Sequence, residues 1–334
     1  MEVGILAYGG YIPKSRLQRE EIFKAHSWFN PGLKGLSRGE RSIANWDEDS
    51  VTMAVESARD CVSPDARSNI SAVYMASTTF PFQDRQNAGI VADALNMKSN
   101  IQTLDFTSSM RAGTAALSVA LQASKGADGP ILLTSAEKRM TKAGSALELT
   151  TGDGAATFLI GSGNIVARLL GKHSESVDFV DHFRGEDGHY DYTWEERWVK
   201  EEGYLKIVPT AVEGALKQAG ITAADISSFN FPVAARNVAA TLAKKLGIAE
   251  DAVADNLQAN CGEAGSAHIL IMLAKALQEA EPGDKILIAS FGQGCDALIF
   301  EATDAIKSVR PSTGIMGSLA RGRRDTNYNR FLAF

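Results

Sequence analysis

The sequence is short of cysteine, of basic charge and of long apolar runs. Its 334 residues include three cysteines, too few and too scattered for a disulfide scaffold or a Cys-x-x-Cys metal site. The formal net charge of -6 offers no basic surface to nucleic acid, and no apolar run approaches the ~20 residues that a membrane-spanning helix needs. Histidines, cysteines and carboxylates do not cluster at metal-ligand spacing. These absences predict a reduced, cytoplasmic protein without a metal, a nucleic-acid partner or a membrane.

What the chain does have is an internal repeat, together with enough apolar residues for a large core. Hydrophobic residues make up 45% of the sequence, which suits one large domain or two medium domains. Six short segments recur in the same order in the two halves, with offsets that drift only between 157 and 140 residues. The pairs are 55–58 with 212–215, 70–73 with 226–229, 92–96 with 243–247, 113–117 with 265–269, 131–135 with 286–290, and 152–155 with 292–295. A repeat of this kind indicates that one unit was duplicated.

The residue pattern of each half predicts alternating helices and strands. Such an alternation indicates an α/β fold with a sheet covered on both faces. The helices predicted over 110–121 and 264–277 are small or apolar nearly all round, whereas a surface helix shows one apolar stripe. We therefore expect both helices to be buried between two sheets, which gives five layers in the order αβαβα. The predicted parts are two similar halves, an aromatic insertion in the second half and a basic tail: 1–165, 166–309, 180–204 and 310–334.

Motifs spread over nearly the whole chain carry a family resemblance. They are 4–9, 72–74, 113–117, 146–150, 152–156, 259–265, 294–297 and 326–332. With the duplicated half and the buried helices, the chain resembles the thiolase superfamily, most closely the 3-hydroxy-3-methylglutaryl-CoA synthase branch of archaea and bacteria. It is also similar to the thiolase-like subunit of the bacterial diacetylphloroglucinol acyltransferase. The resemblance implies a duplicated thiolase fold, coenzyme A thioesters as substrates rather than a bound cofactor, and a homodimer paired through the strand at 101–105.

The resemblance also places four catalytic positions of the family on this sequence, and three of them are changed. The nucleophilic cysteine at the start of the first buried helix falls on Met110. A thioether cannot take up and release an acyl group, because the nucleophile in such chemistry is a thiolate. The family's histidine falls on Asn230 and its acid/base glutamate near Thr78, whereas the asparagine of its Gly-Asn turn is retained as Asn260. The usual acyl-cysteine chemistry is therefore not expected.

One interpretation is an enzyme that works without an acyl-cysteine. Asn230 and Asn260 would hold a carbonyl oxygen with their side-chain amides. Thr78 or Ser109 would supply a hydroxyl, and Glu263 would act as the acid/base group. Such a site suits acyl transfer, or carbon–carbon bond formation or cleavage, on a β-keto, acyl or aryl-ketone substrate. The same polar residues could instead cap the buried helices, because Ser, Thr and Asn are favoured N-caps.

The other interpretation is a catalytically silent subunit that supports a partner in a multi-subunit acyltransferase. Members of this branch resemble subunits of larger assemblies, often with a small OB-fold protein that binds zinc. The arginines of the tail over 310–334 would serve that contact, or the tail would be an ordinary solvated one. The sequence leaves both interpretations open.

Two cysteines are candidates for a relocated nucleophile. Cys261 neighbours Asn260, and Cys295 lies in a Gly-x-Gly hairpin that lines the pocket in the family. The alternative is that each is a small buried hydrophobe, which is the commoner role of a free cysteine. His268, inside the second buried helix, is expected to make one internal hydrogen bond.

The aromatic insertion supplies the candidate substrate-binding residues. Tyr190, Tyr192 and Trp194 stand close together in the insertion, and the family covers its substrate entrance with the corresponding segment. Aromatic-lined pockets suit flat or apolar ligands. We therefore expect these rings, with Met110, to shape an acyl or aryl site, and packing at a dimer interface is the alternative.

Overall fold

The secondary structure alternates helices and strands in both halves, as the sequence predicts. The structure is a computed structural model that describes residues 2–235 and 237–334. Within them the strands are β1 Gly4–Tyr11, β2 Ser15–Gln18, β3 Glu40–Ile43, β4 Ala72–Ala76, β5 Gln102–Phe106, β6 Ile131–Glu137, β7 Gly154–Gly161, β8 Ala167–Ser176, β9 His182–Phe183, β10 Tyr192–Thr193, β11 Ser228–Asn230, β12 Lys285–Phe291, β13 Gly294–Ala302 and β14 Arg323–Asp325. The α-helices are α1 Arg19–His26, α2 Ser50–Cys61, α3 Asn87–Ala94, α4 Ala112–Ala123, α5 Ala146–Thr150, α6 Glu196–Trp198, α7 Leu205–Ala219, α8 Val238–Leu246, α9 Gly265–Glu279, α10 Gly314–Ala320 and α11 Tyr328–Ala333. None of these helices is long and apolar enough to cross a membrane.

Nine strands form one hydrogen-bonded series in which the duplication is visible. Within the described residues its order is β11-β12-β13-β8-β1-β7-β6-β4-β5. In the first half, β1 and β6 pair antiparallel with β7, and β4 pairs parallel with β6 and β5. In the second half, β8 and β12 pair antiparallel with β13, and β11 pairs parallel with β12. Each half therefore builds the same kind of sheet, and the two sheets join where β1 meets β8.

Helices form three layers around these two sheets. Helices α2 and α3 pack on the first sheet, and α7, with α8 beside it, packs on the second. Helices α4 and α9 lie between the sheets and contact each other. Their approach is close, because a Cβ added to Gly113 of α4 would lie 2.4 Å from the carbonyl oxygen of Ser266 in α9. The predicted five-layered αβαβα architecture is confirmed, whereas the bounds of the two halves remain a prediction.

The tail beyond residue 310 is folded onto the first half and onto α9. Strand β14 pairs parallel with β2, and β3 completes a three-stranded sheet. The Asp60 carboxylate accepts hydrogen bonds from the backbone N–H groups of Thr313 and Gly314, at 2.7 and 2.9 Å. The buried Tyr328 hydroxyl donates to Glu148 at 2.8 Å. The body of the protein therefore holds the backbone of this segment. Its arginines Arg310, Arg323, Arg324 and Arg330 are exposed, so the partner contact and the solvated alternative both stay predictions.

His268 lies fully buried in α9, and its contacts fix the position of its ring hydrogen. Nδ1 accepts from the Ala264 N–H at 3.1 Å, so Nε2 carries the hydrogen that is donated to the Asn256 carbonyl oxygen at 2.7 Å. The ring thus makes two internal hydrogen bonds, one more than the sequence predicts. Burial lowers the pKa of His268, although the nearby Glu263 carboxylate acts in the opposite direction. The folded protein therefore holds a neutral ring near neutral pH.

This ring should make the protein less stable below about pH 6.5. The unfolded chain takes up a proton near the ordinary pKa of about 6.5, whereas the folded ring does not, so the free energy of unfolding falls as the pH drops below that value. The loss approaches about 1.4 kcal/mol per pH unit. Urea unfolding of the wild type and of His268→Gln, at about pH 7.5 and about pH 5.5, measures the effect. The advantage of the wild type should shrink by about 1 kcal/mol at the lower pH, and a difference that does not change with pH would contradict the neutral ring.

Candidate active site

A cavity of ≈ 960 Å³ lies where the start of α4 meets the β12–β13 hairpin and the aromatic insertion. Its lining combines hydroxyls, carboxylates, a histidine, an arginine and aromatic rings. The lining residues are Thr78, Thr107, Ser108, Ser109, Met110, Asp178, Val180, Asp181, His182, Phe183, Arg184, Asp191, Trp194, Trp198, Gly292 and Gln293. A cavity of this size, with aromatic walls and a few polar groups, is typical of small-molecule sites.

Met110 lines the cavity at the turn that leads into α4. Ser109 shapes this turn, because its Oγ accepts from the Arg111 N–H and donates to the Gly292 carbonyl oxygen, each at 3.1 Å. Gly292 leaves room for the contact between the two halves, since a Cβ there would lie 3.0 Å from Met110 Cβ. Ser108 has a φ of 71°, which non-glycine residues seldom adopt. The Ser109 hydroxyl is thus bound within the turn before α4, whereas Ser108 is exposed.

Arg111 holds the β12–β13 hairpin against α4. Its Nε donates to the Gly292 carbonyl oxygen at 2.7 Å, and its Nη2 donates to that of Gln293 at 3.0 Å. Its Nη1 pairs with Asp296 at 2.8 Å, and Asp296 also accepts from the Thr114 hydroxyl at 2.8 Å. These bonds join the two halves beside the cavity, so the wall near Met110 is fixed in position.

Thr78 lines the cavity, but its hydroxyl hydrogen is committed to a carboxylate behind it. Glu137, fully buried at the end of β6, accepts from the Thr78 N–H at 2.7 Å and from the Thr78 hydroxyl at 3.0 Å. It also accepts from the hydroxyls of Thr79 and Ser266, at 2.6 and 2.5 Å. The sequence reasoning missed Glu137, although an acidic residue that ends an apolar strand is a usable signal. The structure thus places a carboxylate next to Thr78, without exposing it.

A buried ion-pair chain joins the insertion to the body of the protein. Asp191, in the insertion, pairs with Arg139 and also with Arg184, the latter at 3.0 Å. Glu263 pairs with Arg139 at 3.3 Å. Burial lowers the pKa of Arg139, but Glu263 and Asp191 together outweigh it and the net pKa is raised. Glu263, predicted to be the acid/base group, is therefore bound to a guanidinium and is not part of the lining.

The insertion places a histidine and three of its aromatic rings against the cavity. His182 Nδ1 lies 3.0 Å from the Asp181 carboxylate, and Phe183, Trp194 and Trp198 line the same space. Strands β9 and β10 hold this segment, with Thr193 opposite His182. His182 is not among the residues predicted from the sequence, although the adjoining carboxylate of Asp181 is a usable signal.

Of the three aromatic residues predicted to bind substrate, the structure brings Trp194 to the cavity. Tyr190 and Tyr192 are exposed and lie outside the lining. Tyr192 packs against Phe183, with ring centroids 5.1 Å apart, so it supports a lining residue. Met110 and Trp194 therefore remain the substrate-binding candidates.

The two asparagines proposed as oxyanion donors do not line the cavity. Asn230 is buried, and its Nδ2 donates to Ser228 Oγ at 3.0 Å and to the Leu287 carbonyl oxygen at 3.3 Å. Asn260 is exposed on a turn whose neighbour, Ala259, accepts from the Glu40 N–H at 2.9 Å. Of Met110, Asn230 and Asn260, Met110 is the one that lines the cavity. The oxyanion role of both amides is left without geometric support.

None of the three cysteines is among the residues that line the cavity. Cys261 and Cys295 are buried, and Cys61 is partly exposed. Burial raises the pKa of all three thiols, to about 12 for Cys261. A thiol that stays protonated at neutral pH is a poor nucleophile, so neither Cys261 nor Cys295 has the surroundings of a relocated one. In the described part of the chain, no group of three or more His, Cys, Asp or Glu residues could hold a metal ion.

The chain is similar to known proteins along nearly its whole length. Residues 216–300 match the family described as 3-oxoacyl-[acyl-carrier-protein (ACP)] synthase III C terminal. A hydroxymethylglutaryl-CoA synthase of Methanosphaera stadtmanae is 32% identical over 319 residues, which cover 92% of this chain and 90% of that protein. The hydroxymethylglutaryl-CoA synthase of Methanopyrus kandleri is 30% identical over 341 residues, with coverages of 98% and 96%. A crystal structure of an HMG-CoA synthase complexed with CoA has a TM-score of 0.81 at 20% identity, and covers 99% of this chain and 89% of that chain.

Proposed function

The chain belongs to the hydroxymethylglutaryl-CoA synthase branch of the thiolase superfamily, and we propose that it forms or breaks carbon–carbon bonds in coenzyme A thioesters without an acyl-cysteine. One observation carries the proposal: Met110 lies in the turn that leads into α4, and the cavity lining in the described residues includes no thiol. A thioether cannot exchange an acyl group with a thioester. The acyl group would therefore stay on coenzyme A while it reacts.

Enolate chemistry fits the groups around the cavity. The start of α4 carries the positive end of the helix dipole, and Thr107 and Ser108 present hydroxyls beside it. These groups would stabilise the negative oxygen that develops when a thioester adds to a carbonyl, or when a β-keto or aryl-ketone substrate is cleaved. Phe183, Trp194 and Trp198 would hold an apolar acyl or aryl group.

Turnover by the purified protein is the first test. Acetyl-CoA would be supplied with an aryl ketone or a β-keto acid, and carbon–carbon products would be followed by chromatography. Intact-mass measurement during turnover should show no acyl group on the protein, and a stable acyl adduct on a cysteine would contradict the proposal. Binding is measured separately as a rise in Tm with coenzyme A or acetyl-CoA, because a ligand of the native state stabilises it.

Trp194→Ala should raise KM by about tenfold or more with little loss of stability. Trp194 is 48% exposed, and covering such a ring with a ligand contributes about 1.5–3 kcal/mol of binding, where about 1.4 kcal/mol is a factor of ten. Tyr190→Ala is the matched control, since Tyr190 is an exposed ring of the same insertion outside the cavity lining. Steady-state kinetics of the two variants show whether the rings of the insertion bind substrate or pack at a dimer interface. Equal changes in KM would favour the interface.

A catalytically silent subunit is the second candidate function. It is favoured by the placement of Asn230 and Asn260 away from the cavity, and by the commitment of the Thr78 hydroxyl to Glu137. In this case a partner, such as a small OB-fold zinc protein, would supply the missing chemistry. Copurification of such a protein, with activity confined to the complex, would support this candidate. Turnover by the pure chain would exclude it.

We also propose a homodimer paired through β5. This strand ends the sheet order of the described residues, so its outer edge can pair with a strand of another chain. The Gln86 side chain donates to the Thr103 carbonyl oxygen of β5 at 2.6 Å, and it would have to move for full pairing. Light scattering should give twice the mass of one chain.

A further inference from the structure

We propose that His182, oriented by Asp181, is the group that moves protons in this cavity. The proposal rests on the proposed function and names the acid/base group that it requires. Neither the Glu263 carboxylate nor the amide of Asn230 serves, because both are bound elsewhere. The proton-moving group would therefore come from the insertion rather than from the strand ends of the duplicated halves.

The contact with Asp181 fixes which ring nitrogen is available. A carboxylate oxygen accepts hydrogen bonds, so the Nδ1 of His182, 3.0 Å from Asp181 Oδ2, carries the hydrogen. The neutral ring then presents a free lone pair at Nε2. A carboxylate in this position also stabilises the imidazolium that forms when Nε2 takes up a proton. The pair therefore has the arrangement of a general base.

The backbone around the pair is held by the small sheet of the insertion. His182 lies opposite Thr193 in the β9–β10 pairing, and the Asp181 carbonyl oxygen accepts from the Trp194 N–H at 2.8 Å. The side chains of Asp181 and His182 are 13% and 22% exposed, so the pair is mostly enclosed yet open to the cavity. A general base needs this combination of fixed orientation and access.

The other charged groups of the lining do not fill this role. They are Asp178, Arg184 and Asp191, all in or next to the insertion. Arg184 and Asp191 are bound to each other, and Asp191 is also paired with Arg139. Asp178 is exposed. Histidine is the side chain whose charge changes nearest to neutral pH, which leaves His182 as the lining group suited to both take and give a proton.

The proton steps balance without any further reactant. Nε2 takes a proton from the carbon next to the thioester carbonyl, and the electrons of that C–H bond form an enolate. The enolate carbon bonds to the carbonyl carbon of the second substrate, whose oxygen becomes an alkoxide. The imidazolium returns the proton to that oxygen, and the reverse sequence breaks the same bond.

Exchange of substrate hydrogens with deuterium tests the first step without the second substrate. Wild-type protein in D2O should exchange the α-hydrogens of acetyl-CoA, followed by NMR, and His182→Ala should slow this exchange by about 10²–10⁴-fold. His189→Ala, another histidine of the insertion outside the lining, is the control that should keep the wild-type rate. The binding shift in Tm should be the same in all three proteins. Unchanged exchange in His182→Ala would overturn the proposal and leave the proposed function standing.

Two further measurements complete the test. With the second substrate, His182→Ala should lower kcat with little change in KM, because the ring moves a proton and does not hold the substrate. NMR of histidine labelled with nitrogen-15 reports the ring tautomer without any substrate. An Nε2–H tautomer of His182 would overturn the assignment by itself. A wild-type protein that neither binds acetyl-CoA nor exchanges its hydrogens would overturn the proposed function and this inference together.

Discussion

Met110→Cys should convert a protein with slow thiol chemistry into one with a single fast-reacting thiol. The new side chain would stand at the start of α4, where the helix dipole favours a thiolate and lowers the thiol pKa. The three native thiols should be labelled slowly, because burial raises the pKa of each. We expect iodoacetamide at neutral pH to label position 110 about tenfold faster, or more, than an ordinary exposed thiol.

Peptide mapping after short labelling times measures this rate. Met140→Cys is the matched control, since Met140 is an exposed methionine on a loop and gains no help from a helix start. Equal labelling rates at 110 and 140 would mean that position 110 lacks the electrostatic setting of a nucleophile. Wild-type protein labelled as fast as the variant would show that a native cysteine is reactive after all.

The same variant also probes what enters the cavity. If coenzyme A thioesters bind there, the introduced thiolate should take the acetyl group from acetyl-CoA and release free coenzyme A. Intact mass should then show one added acetyl group on Met110→Cys and none on the wild type or on Met140→Cys. A fast-labelling variant that never becomes acetylated would point away from thioesters as substrates.

The fold could be predicted from the sequence because a duplicated unit can be recognised from repeated segments, without knowledge of any tertiary contact. The paired segments keep their order, and two helices without a polar face must be buried on all sides. The confirmed layers follow from these two facts. The helix boundaries were predicted less closely. The predicted helices over 110–121 and 264–277 begin and end one or two residues away from Ala112–Ala123 and Gly265–Glu279.

The candidate site could be predicted only in part, because its groups come from segments with no shared pattern. Met110 and Thr78 follow from the resemblance, and both line the cavity. Arg139 and Asp191, in contrast, are brought together by tertiary folding across 52 positions, which no periodicity reveals. Asn260 shows the converse case. Its residue type matches the family's asparagine, which suggested a role, but Asn260 is not among the residues that line the cavity.

Asp191→Ala should lower the free energy of unfolding by about 1–3 kcal/mol, because the buried Arg139 loses a charged hydrogen-bond partner and keeps only Glu263 as an ion-pair partner. The side chains of Asp191 and Arg139 are 4% and 6% exposed, so the lost bond is a largely desolvated one. Arg184 would lose its partner as well. Chemical unfolding with urea measures the stability loss, and hydrogen–deuterium exchange reports the insertion at 180–204.

The exchange data separate a general loss of stability from release of the insertion. Since Asp191 ties the insertion to Arg139, next to β6, backbone exchange over 180–204 should rise more than exchange in α4 and α9, which stay packed between the sheets. Asp187→Ala, an exposed residue of the same segment, should change stability by no more than about 0.5 kcal/mol. If Asp191→Ala matched this control, the ion-pair chain would not be what holds the insertion. His182 and Trp194 would then need another explanation for their fixed place against the cavity.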